Sequence, residues 1–339
     1  MTRDSPVADV DRLIVRAPNW VGDAVMALPA MGAIRRAFER STVIVAAAAS
    51  VAPLFAEGTA AAPNEILTID PAHEMKQLRL ARADAVLLLP NSFGSAWIAR
   101  RSGISERWGY NTSARRPLLT RAIRRPRGVR HQTQYYLELA RGLGLDAPDI
   151  APHIEVRPST LEQADSVLRA AGIEVGRRIV GFAPGAAYGQ AKRWPPDRVV
   201  RVIAELSRRD VMSVLLGAAG DRETGRAIES SLPPNTSMLN LIGRTTMRQL
   251  VGVVARCAAF VSNDSGAMHV AAGVGVPLTA IFGPTDERVT APPPSASVDV
   301  IVRDVFCRPC LLRECPIDHR CMKRIDVDAV LHSVTAHLA

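Results

Sequence analysis

The sequence is poor in aromatic residues and in long apolar runs. Phe, Trp and Tyr make up 4% of its 339 residues. No apolar stretch approaches the roughly 18 residues that a membrane span needs, and the longest candidate, residues 43–56, is broken by Ser50 and Pro53. The N-terminal residues include an early acid and lack the apolar core of a secretory signal. We therefore expect a cytoplasmic protein whose membrane contacts are peripheral.

The sequence also lacks Gly-x-Gly-x-x-Gly, the turn that dinucleotide-binding proteins place after their first strand. Its first predicted strand is followed instead by Ala-Pro-Asn-Trp-Val-Gly-Asp at residues 17–23. We therefore do not expect NAD binding. Asn19, Gly22 and Asp23 lie in this turn, where Asp23 is either the N-cap of the next helix or a carboxylate directed at a ligand.

Acidic residues are too few to balance the basic ones. The formal net charge of +9 predicts an anionic partner. The excess is concentrated between Arg100 and Arg130, where ten arginines accompany the single acid Glu106. A solvated basic face and a surface for an anionic membrane leaflet both fit this segment. Nucleic acid is less favoured, because only Trp108 and Tyr110 are present to stack on bases.

Strand-like apolar runs alternate with helical patterns along the chain, which is typical of parallel sheets with crossover helices. The chain is longer than most single domains, and the proline-rich stretch after Leu145 predicts a linker. We expect an α/β fold of two doubly wound, Rossmann-like domains that face each other across a cleft. Their expected bounds are residues 1–158 and 159–325, and a final helix at 326–339 is expected to pack back on the N-terminal domain.

Residues 261–273 contain an apolar strand that ends in a polar, glycine-bearing turn and opens into a helix. The first N–H groups of a helix have no partner inside it, and the helix dipole adds positive charge there, so this pattern predicts a phosphate site. An ordinary capped helix with a buried histidine is the alternative. The residues expected to line the site are Asp264, Ser265, Gly266 and His269.

A second strand-to-helix loop, residues 182–195, contains Gly185, Lys192 and Arg193. Lys192, as a point charge, and Arg193, as a planar fork, could neutralise a diphosphate. A solvent-exposed loop is the alternative. A weaker pattern follows the next strand, where Asp221 or Glu223 could bind a ribose.

Four cysteines, Cys307, Cys310, Cys315 and Cys321, lie within 15 residues of one another. In a cytosolic chain such a cluster favours zinc or an iron–sulfur cluster over disulfides. The spacing is looser than the paired Cys-x2-Cys of zinc ribbons, so a metal site and a loop packed by reduced thiols both remain open. Cys257 is expected to be a core residue.

Four motifs occur in order along most of the chain: Asn-Trp-Val-Gly-Asp at 19–23, Pro-Gly-Ala…Ala-Lys-Arg-Trp-Pro at 184–195, Gly-Arg-Thr-Thr at 243–246 and Asn-Asp-Ser-Gly-Ala-Met-His-Val-Ala-Ala at 263–272. Together they resemble the ADP-heptose:lipopolysaccharide heptosyltransferases of glycosyltransferase family 9. The first motif is most similar to the type II branch of that family.

The resemblance implies the GT-B architecture, with the acceptor held mainly by the N-terminal domain and ADP-heptose by the C-terminal one. It implies that Asp23 is the catalytic base and that Lys192 contacts the diphosphate. The implied reaction is inverting transfer of L-glycero-D-manno-heptose to a heptosyl-Kdo-lipid A acceptor, in lipopolysaccharide inner-core synthesis at the inner face of the inner membrane. The residues that would surround the nucleotide-sugar are Asp264, Ser265, Gly266 and His269.

This chemistry is expected to need no cofactor, although assistance from Mg²⁺ stays open. One alternative is a type I member, or another relative with a different donor or acceptor. An alternative from another class is a nucleic-acid-binding protein with a small zinc module, because the pI is near 9.9 and the cysteines are clustered.

Overall fold

The computed structural model describes residues 10–174 and 176–339. The chain divides into two compact units, of which unit 1 ends at Glu155 and unit 2 spans Val156–Ala339. The domain boundary that the sequence predicts after residue 158 falls at the start of a helix that begins at Pro158.

Unit 1 is built on a six-stranded parallel sheet. Its strands are β1 (Arg12–Arg16), β2 (Thr42–Ala48), β4 (Glu65–Ile69), β5 (Ala85–Leu88), β6 (Glu106–Tyr110) and β7 (Arg121–Ile123), and a separate antiparallel pair is formed by β3 (Gly58–Thr59) and β8 (Ile154–Glu155). The order across the main sheet is β4-β2-β1-β5-β6-β7. Four helices connect the strands: α1 (Val21–Ala37), α2 (Glu74–Leu80), α3 (Phe93–Arg101) and α4 (Gln132–Gly142).

Unit 2 repeats this plan with a second six-stranded parallel sheet. Its strands are β9 (Ile179–Ala183), β10 (Met212–Leu215), β11 (Met238–Asn240), β12 (Ala259–Asn263), β13 (Leu278–Ile281) and β14 (Val298–Ile301), in the order β11-β10-β9-β12-β13-β14. Its helices are α5 (Pro158–Ala170), α6 (Pro196–Ser207), α7 (Arg222–Ser231), α8 (Met247–Ala255), α9 (Gly266–Val274), α10 (Glu287–Thr290), α11 (Arg320–Lys323) and α12 (Val327–Leu338).

The central strands are apolar because helices cover both faces of a parallel sheet. Leu13 and Ile14 of β1 are fully buried, as are Val180 of β9 and Phe260 of β12. The structure therefore confirms the predicted α/β class with two Rossmann-like units.

Each sheet has a switch point next to its first strand. In unit 1, β2 and β5 flank β1, and in unit 2, β10 and β12 flank β9. Doubly wound sheets bind ligands beyond the carboxyl ends of the strands at such points. The turn after β1 and the loops after β9 and β12 are therefore the places where a ligand is expected.

The last helix, α12, packs against α6 and against the strands β12 and β13 of unit 2. Its Val330 and Val334 are fully buried in the core of that unit, and Ser333 bonds to Thr279 of β13. The sequence had predicted that residues 326–339 pack back on the N-terminal domain. The apolar side of α12 instead completes the core of the unit to which it belongs. None of the helices in residues 10–174 and 176–339 has the length and hydropathy of a membrane span.

Candidate active site

In unit 1, the predicted turn leads from β1 directly into α1. Trp20 occupies the N-cap position, and α1 begins at Val21. Asp23 lies in the first turn of the helix and is half-buried, so its interpretation as the N-cap is wrong. Gly22 is buried beside it, and Asn19 is exposed. A carboxylate here is favoured by the helix dipole and lies at the switch point of the sheet.

Asp23 accepts a hydrogen bond from a buried tyrosine of α4. The hydroxyl of Tyr136 lies 3.3 Å from Asp23 Oδ1, and Tyr136 is 4% exposed. Burial and, after it, the negative charge of Asp23 raise the pKa of Tyr136 well above its usual value. Tyr136 therefore stays a neutral donor that orients the Asp23 carboxylate.

Arg16, the last residue of β1, fixes the turn that precedes Asp23. Its guanidinium is buried and lies 2.7 Å from Glu74 Oε1, 3.0 Å from Asn19 Oδ1 and 2.7 Å from the Ala17 carbonyl. Glu74 compensates the buried positive charge, which would be costly without a partner. Asn19 thus has a defined role in the structure, which is to hold the turn through its side-chain oxygen.

In unit 2, Asn263 joins the two loops that flank the switch point. This buried residue ends β12, and its side-chain nitrogen donates to the Pro184 carbonyl at 2.7 Å. Its side-chain oxygen accepts from the Trp194 N–H at 3.2 Å. The loop after β9 is therefore anchored to the end of β12 at both its start and its end.

The structure brings Lys192 and Asp264 together from these two loops. Lys192 Nζ lies 2.6 Å from Asp264 Oδ2, and the two side chains are 12% and 6% exposed. The same carboxylate oxygen accepts from Thr285 Oγ1 at 2.7 Å. An ammonium group has three N–H donors, so the contact with Asp264 fixes the direction of Lys192 without using all of them.

Arg193 points away from Lys192 towards another carboxylate. Its guanidinium lies 3.0 Å from Asp221 Oδ1 and 3.1 Å from Thr224 Oγ1. A Cβ atom at Gly185 would lie 2.1 Å from the Asp221 carboxyl carbon, so only glycine leaves room for this pair. Asp221, which the sequence offered as a ribose ligand, is buried and engaged by Arg193.

The helix α9 begins as predicted at the end of β12. Ser265 is its N-cap, but the Ser265 hydroxyl lies 3.0 Å from Ser262 Oγ, and the helix has no side-chain cap within the described structure. Ser265 and Gly266 are half-exposed, whereas His269, one turn further on, is 6% exposed. The first N–H groups of α9 thus form the kind of terminus that binds anions.

The segment that contains the clustered cysteines supports the loops of this site. Ala191 N–H donates to the Arg313 carbonyl at 3.0 Å, and Tyr188 Oη donates to the Leu311 carbonyl at 2.8 Å. Arg308 donates to the Gly283 and Thr285 carbonyls at 3.0 and 3.1 Å. Residues 308–313 therefore hold both the loop of Lys192 and the loop of Thr285.

Cys307, Cys310, Cys315 and Cys321 are free thiols, and across residues 10–174 and 176–339 no three His, Cys, Asp or Glu side chains meet in a metal-binding arrangement. In the described structure the four cysteines therefore do not form a metal-binding arrangement. A metal site at these residues stays a prediction of the sequence. Burial, followed by the neighbouring thiols, raises the pKa of Cys321. Cys257 is a core residue as expected, and burial raises its pKa to about 12.

The ten arginines of residues 100–130 do not form one uniform face. Arg115 is fully buried and donates to the Tyr110 carbonyl and to Asn91 Oδ1 at 2.8 and 3.2 Å, so it is wrong to place it on a basic surface. Burial lowers its pKa to about 10. Arg107 and Arg121 are half-buried. The exposed members are Arg100, Arg101, Arg116, Arg124, Arg125, Arg127 and Arg130.

Three residues of the site were missed by sequence reasoning. Tyr136 is far from Asp23 in sequence, and Glu74 is far from Arg16, so no local pattern joins them. Thr285 follows β13, the neighbour of β12, and a polar residue just past a central strand was a signal that could have found it.

The comparison with known protein families agrees with this geometry. The sequence model of glycosyltransferase family 9 (heptosyltransferase) matches residues 73–320, which is more than half of the chain. The chain belongs to glycosyltransferase family 9. The match includes every candidate substrate-binding residue of unit 2, whereas Asn19, Gly22 and Asp23 precede it and Cys321 follows it.

Family 9 membership makes the protein a glycosyltransferase, and individual members are similar over most of its length. Lipopolysaccharide heptosyltransferase 2 of Escherichia coli is 31% identical over 83% of this chain and 85% of its own. Lipooligosaccharide heptosyltransferase 2 of Haemophilus influenzae is 29% identical over 86% and 88%. The structure of the ADP-heptose heptosyltransferase II of E. coli superposes with a TM-score of 0.82, at 29% identity, over 96% of this chain and 98% of that one.

Proposed function

We propose that this family 9 enzyme transfers L-glycero-D-manno-heptose from ADP-heptose to a heptosyl-Kdo-lipid A acceptor in lipopolysaccharide inner-core synthesis. The observation that carries this proposal is the ion pair of Lys192 with Asp264 beside the start of α9. This ion pair lies in a chain of family 9, and the two sequence relatives described above are type 2 heptosyltransferases. Unit 2 would hold the donor, and unit 1 would hold the acceptor.

The donor diphosphate would bind at the switch point of unit 2. The backbone N–H groups of the first turn of α9, which begins at Gly266, supply a positive helix terminus, and Lys192 supplies a cation held in a fixed direction. Ser265 and His269 lie at the same terminus, and Gly185 and Arg193 support the adjoining loop. When the sugar departs from ADP, negative charge grows on the leaving phosphate, and these fixed donors would stabilise it.

Asp23 would act as the general base. Its carboxylate would take the proton of the attacking acceptor hydroxyl as that oxygen bonds to the anomeric carbon. The bond from the anomeric carbon to the ADP oxygen breaks on the opposite face, and ADP leaves with the electron pair. Inversion follows because attack and departure take place on opposite faces. Asn19 and Gly22 would keep Asp23 in place through the shape of the turn.

The acceptor is a lipid, and this fits a peripheral position at the inner face of the inner membrane. Seven exposed arginines between Arg100 and Arg130 would supply attraction to anionic headgroups. The proton transfer and the charge stabilisation described above use side chains and backbone groups of the chain.

The decisive assay measures ADP release from ADP-heptose with two acceptors, Kdo-lipid A and heptosyl-Kdo-lipid A. We expect release only with the acceptor that already carries one heptose. Release with Kdo-lipid A alone would show a type I enzyme. A lack of release with either acceptor would contradict heptose transfer, and tight DNA binding in its place would favour the nucleic-acid alternative.

A further inference from the structure

The helices α2 and α3 of unit 1 expose apolar side chains that the proposed chemistry does not use. Phe93 and Trp97 are 48% and 47% exposed, and Met75 and Leu80 are 39% and 68% exposed. Single exposed apolar residues are ordinary on a protein surface, but a grouped set indicates a binding surface. The rings of Phe93 and Trp97 stack with their centroids 6.3 Å apart, so at least these two form a continuous patch.

The two helices cover the same face of the sheet. Leu78 of α2 and Ala96 and Ala99 of α3 belong to one buried core cluster, so the exposed residues lie on the sides of the helices that point away from it. Along α3, Phe93 and Trp97 are four residues apart, and Arg100 and Arg101 follow one turn later on the same side. We call this surface, formed by α2 and α3, the α2–α3 face.

The α2–α3 face is strongly basic. The two helices carry the exposed cations Lys76, Arg79, Arg100 and Arg101, and Arg82 follows shortly after α2. The acids between residues 74 and 101 are Glu74, which pairs with the buried Arg16, and Asp84, which accepts from the backbone N–H of residues 11 and 12. The charge on this face is therefore complementary to an anionic partner.

The pairing of aromatic and arginine side chains favours a lipid surface over nucleic acid. The rings of Phe93 and Trp97 lie against each other, and the Arg101 guanidinium lies 5.9 Å from the Trp97 ring centre, so the pair leaves fewer ring faces for bases than two separate rings would. Base stacking would need free ring faces. Trp and Phe flanked by arginines are instead typical of helices that lie in the headgroup region of a bilayer.

We propose that the α2–α3 face docks on an anionic bilayer and inserts Phe93 and Trp97 among the headgroups. The inference rests on the proposed function, because a lipid-linked acceptor is what brings the enzyme to a membrane. Long arginine side chains can reach the phosphates while their stems stay beside the apolar rings. The aromatic pair adds an apolar anchor to the electrostatic attraction.

The test is sedimentation of the full chain with vesicles of phosphatidylcholine that contain about three-tenths phosphatidylglycerol. The double variant Phe93→Ser/Trp97→Ser is expected to lower the partition coefficient at least about tenfold, since each buried aromatic contributes that order of binding. Phe306→Ser is the matched control, because Phe306 is 80% exposed in unit 2 and also contacts an arginine, Arg320. This control is expected to bind like the wild type.

Several outcomes would overturn the proposal: unchanged binding by the double variant, equal binding of the wild type to pure phosphatidylcholine vesicles, or binding that requires the heptosyl-Kdo-lipid A acceptor in the vesicle. ADP release with the acceptor in detergent micelles is measured in parallel. The double variant should keep its micellar rate within about twofold, since neither residue lies in the turn or loops of the candidate site. A lack of release by the wild type would instead count against the proposed transfer reaction, independently of vesicle binding.

Discussion

Individual residues of the candidate site are held by partners that a sequence does not reveal. The turn after β1 could be identified from Asn19, Gly22 and Asp23, but the sequence left open whether Asp23 caps the helix, and the N-cap alternative is wrong because α1 already starts at Val21. The pairing of Lys192 with Asp264 joins two motifs that were each recognised alone. Their contact depends on β9 and β12 being neighbours, which only the sheet order shows.

Tyr136 offers a test of how Asp23 is oriented. Tyr136→Phe removes the hydroxyl that donates to Asp23, so the charged carboxylate loses a stabilising hydrogen bond. We expect the acidic limb of the kcat/KM profile to move to higher pH by about half a unit to one unit. The measurement is the pH dependence of ADP release.

Tyr135→Phe is the matched control for this experiment. The hydroxyl of Tyr135, the preceding residue of α4, accepts a hydrogen bond from Asn91 and makes none with Asp23 in the described structure. Its profile should coincide with that of the wild type. If the Tyr136→Phe profile also coincided with it, the hydrogen bond to Asp23 would have no part in the reaction.

At the scale of whole elements, buried strands were easier to predict than exposed ones. The strands β1, β9 and β12 are short apolar runs that end in polar turns, and the sequence predicts a strand before each of those turns. The strands β6 and β7 were missed because arginines interrupt them. Arg107 of β6 donates to the Leu118 carbonyl at 2.8 Å, so its guanidinium has a partner inside the structure. In the sequence alone, such an arginine indicates a solvent-exposed segment and hides the strand.

The loop between β9 and α6 should be sensitive to any side chain at residue 185. Gly185→Ala would place a methyl group against the Asp221 carboxylate and separate it from Arg193. We expect a loss of roughly 1–3 kcal/mol in the free energy of unfolding, as for other overpacked sites. Thermal unfolding measures this change. Gly220→Ala is the control, because a Cβ atom there meets nothing within 4 Å, and equal melting midpoints for the two variants would contradict the account.

The cysteine segment is expected to react with iodoacetamide in a defined order. Cys307, Cys310 and Cys315 are half-buried and should be modified in the native, metal-free protein. Cys257 should resist until the protein unfolds, because a thiol with a pKa of about 12 is almost entirely protonated at neutral pH. Peptide mass spectrometry gives the order of modification. Labelling of Cys257 at the rate of the other three would contradict its place in the core.

For the molecule as a whole, the alternation of strands and helices was enough to predict two Rossmann-like units, because each parallel strand needs a crossover helix. The packing of α12 was not predictable in this way. The apolar side of α12 predicts that the helix packs on a core but does not indicate which one. Only the structure shows that it covers β12 and β13. The basic composition predicts an anionic partner, but burial removes Arg115 from any surface that would bind it.

The central claim is that a carboxylate of unit 1 activates the acceptor while unit 2 binds ADP-heptose. Its most direct test is Asp23→Asn, which keeps the shape of the side chain and removes its basicity. Asp197→Asn is the matched control, since Asp197 also lies in the first turn of a helix, α6, but is 66% exposed and pairs with Arg201 of its own helix. For Asp23→Asn we predict turnover at least about a hundredfold below that of the wild type, with an unchanged dissociation constant for ADP-heptose by calorimetry. Turnover close to that of the wild type would contradict the account.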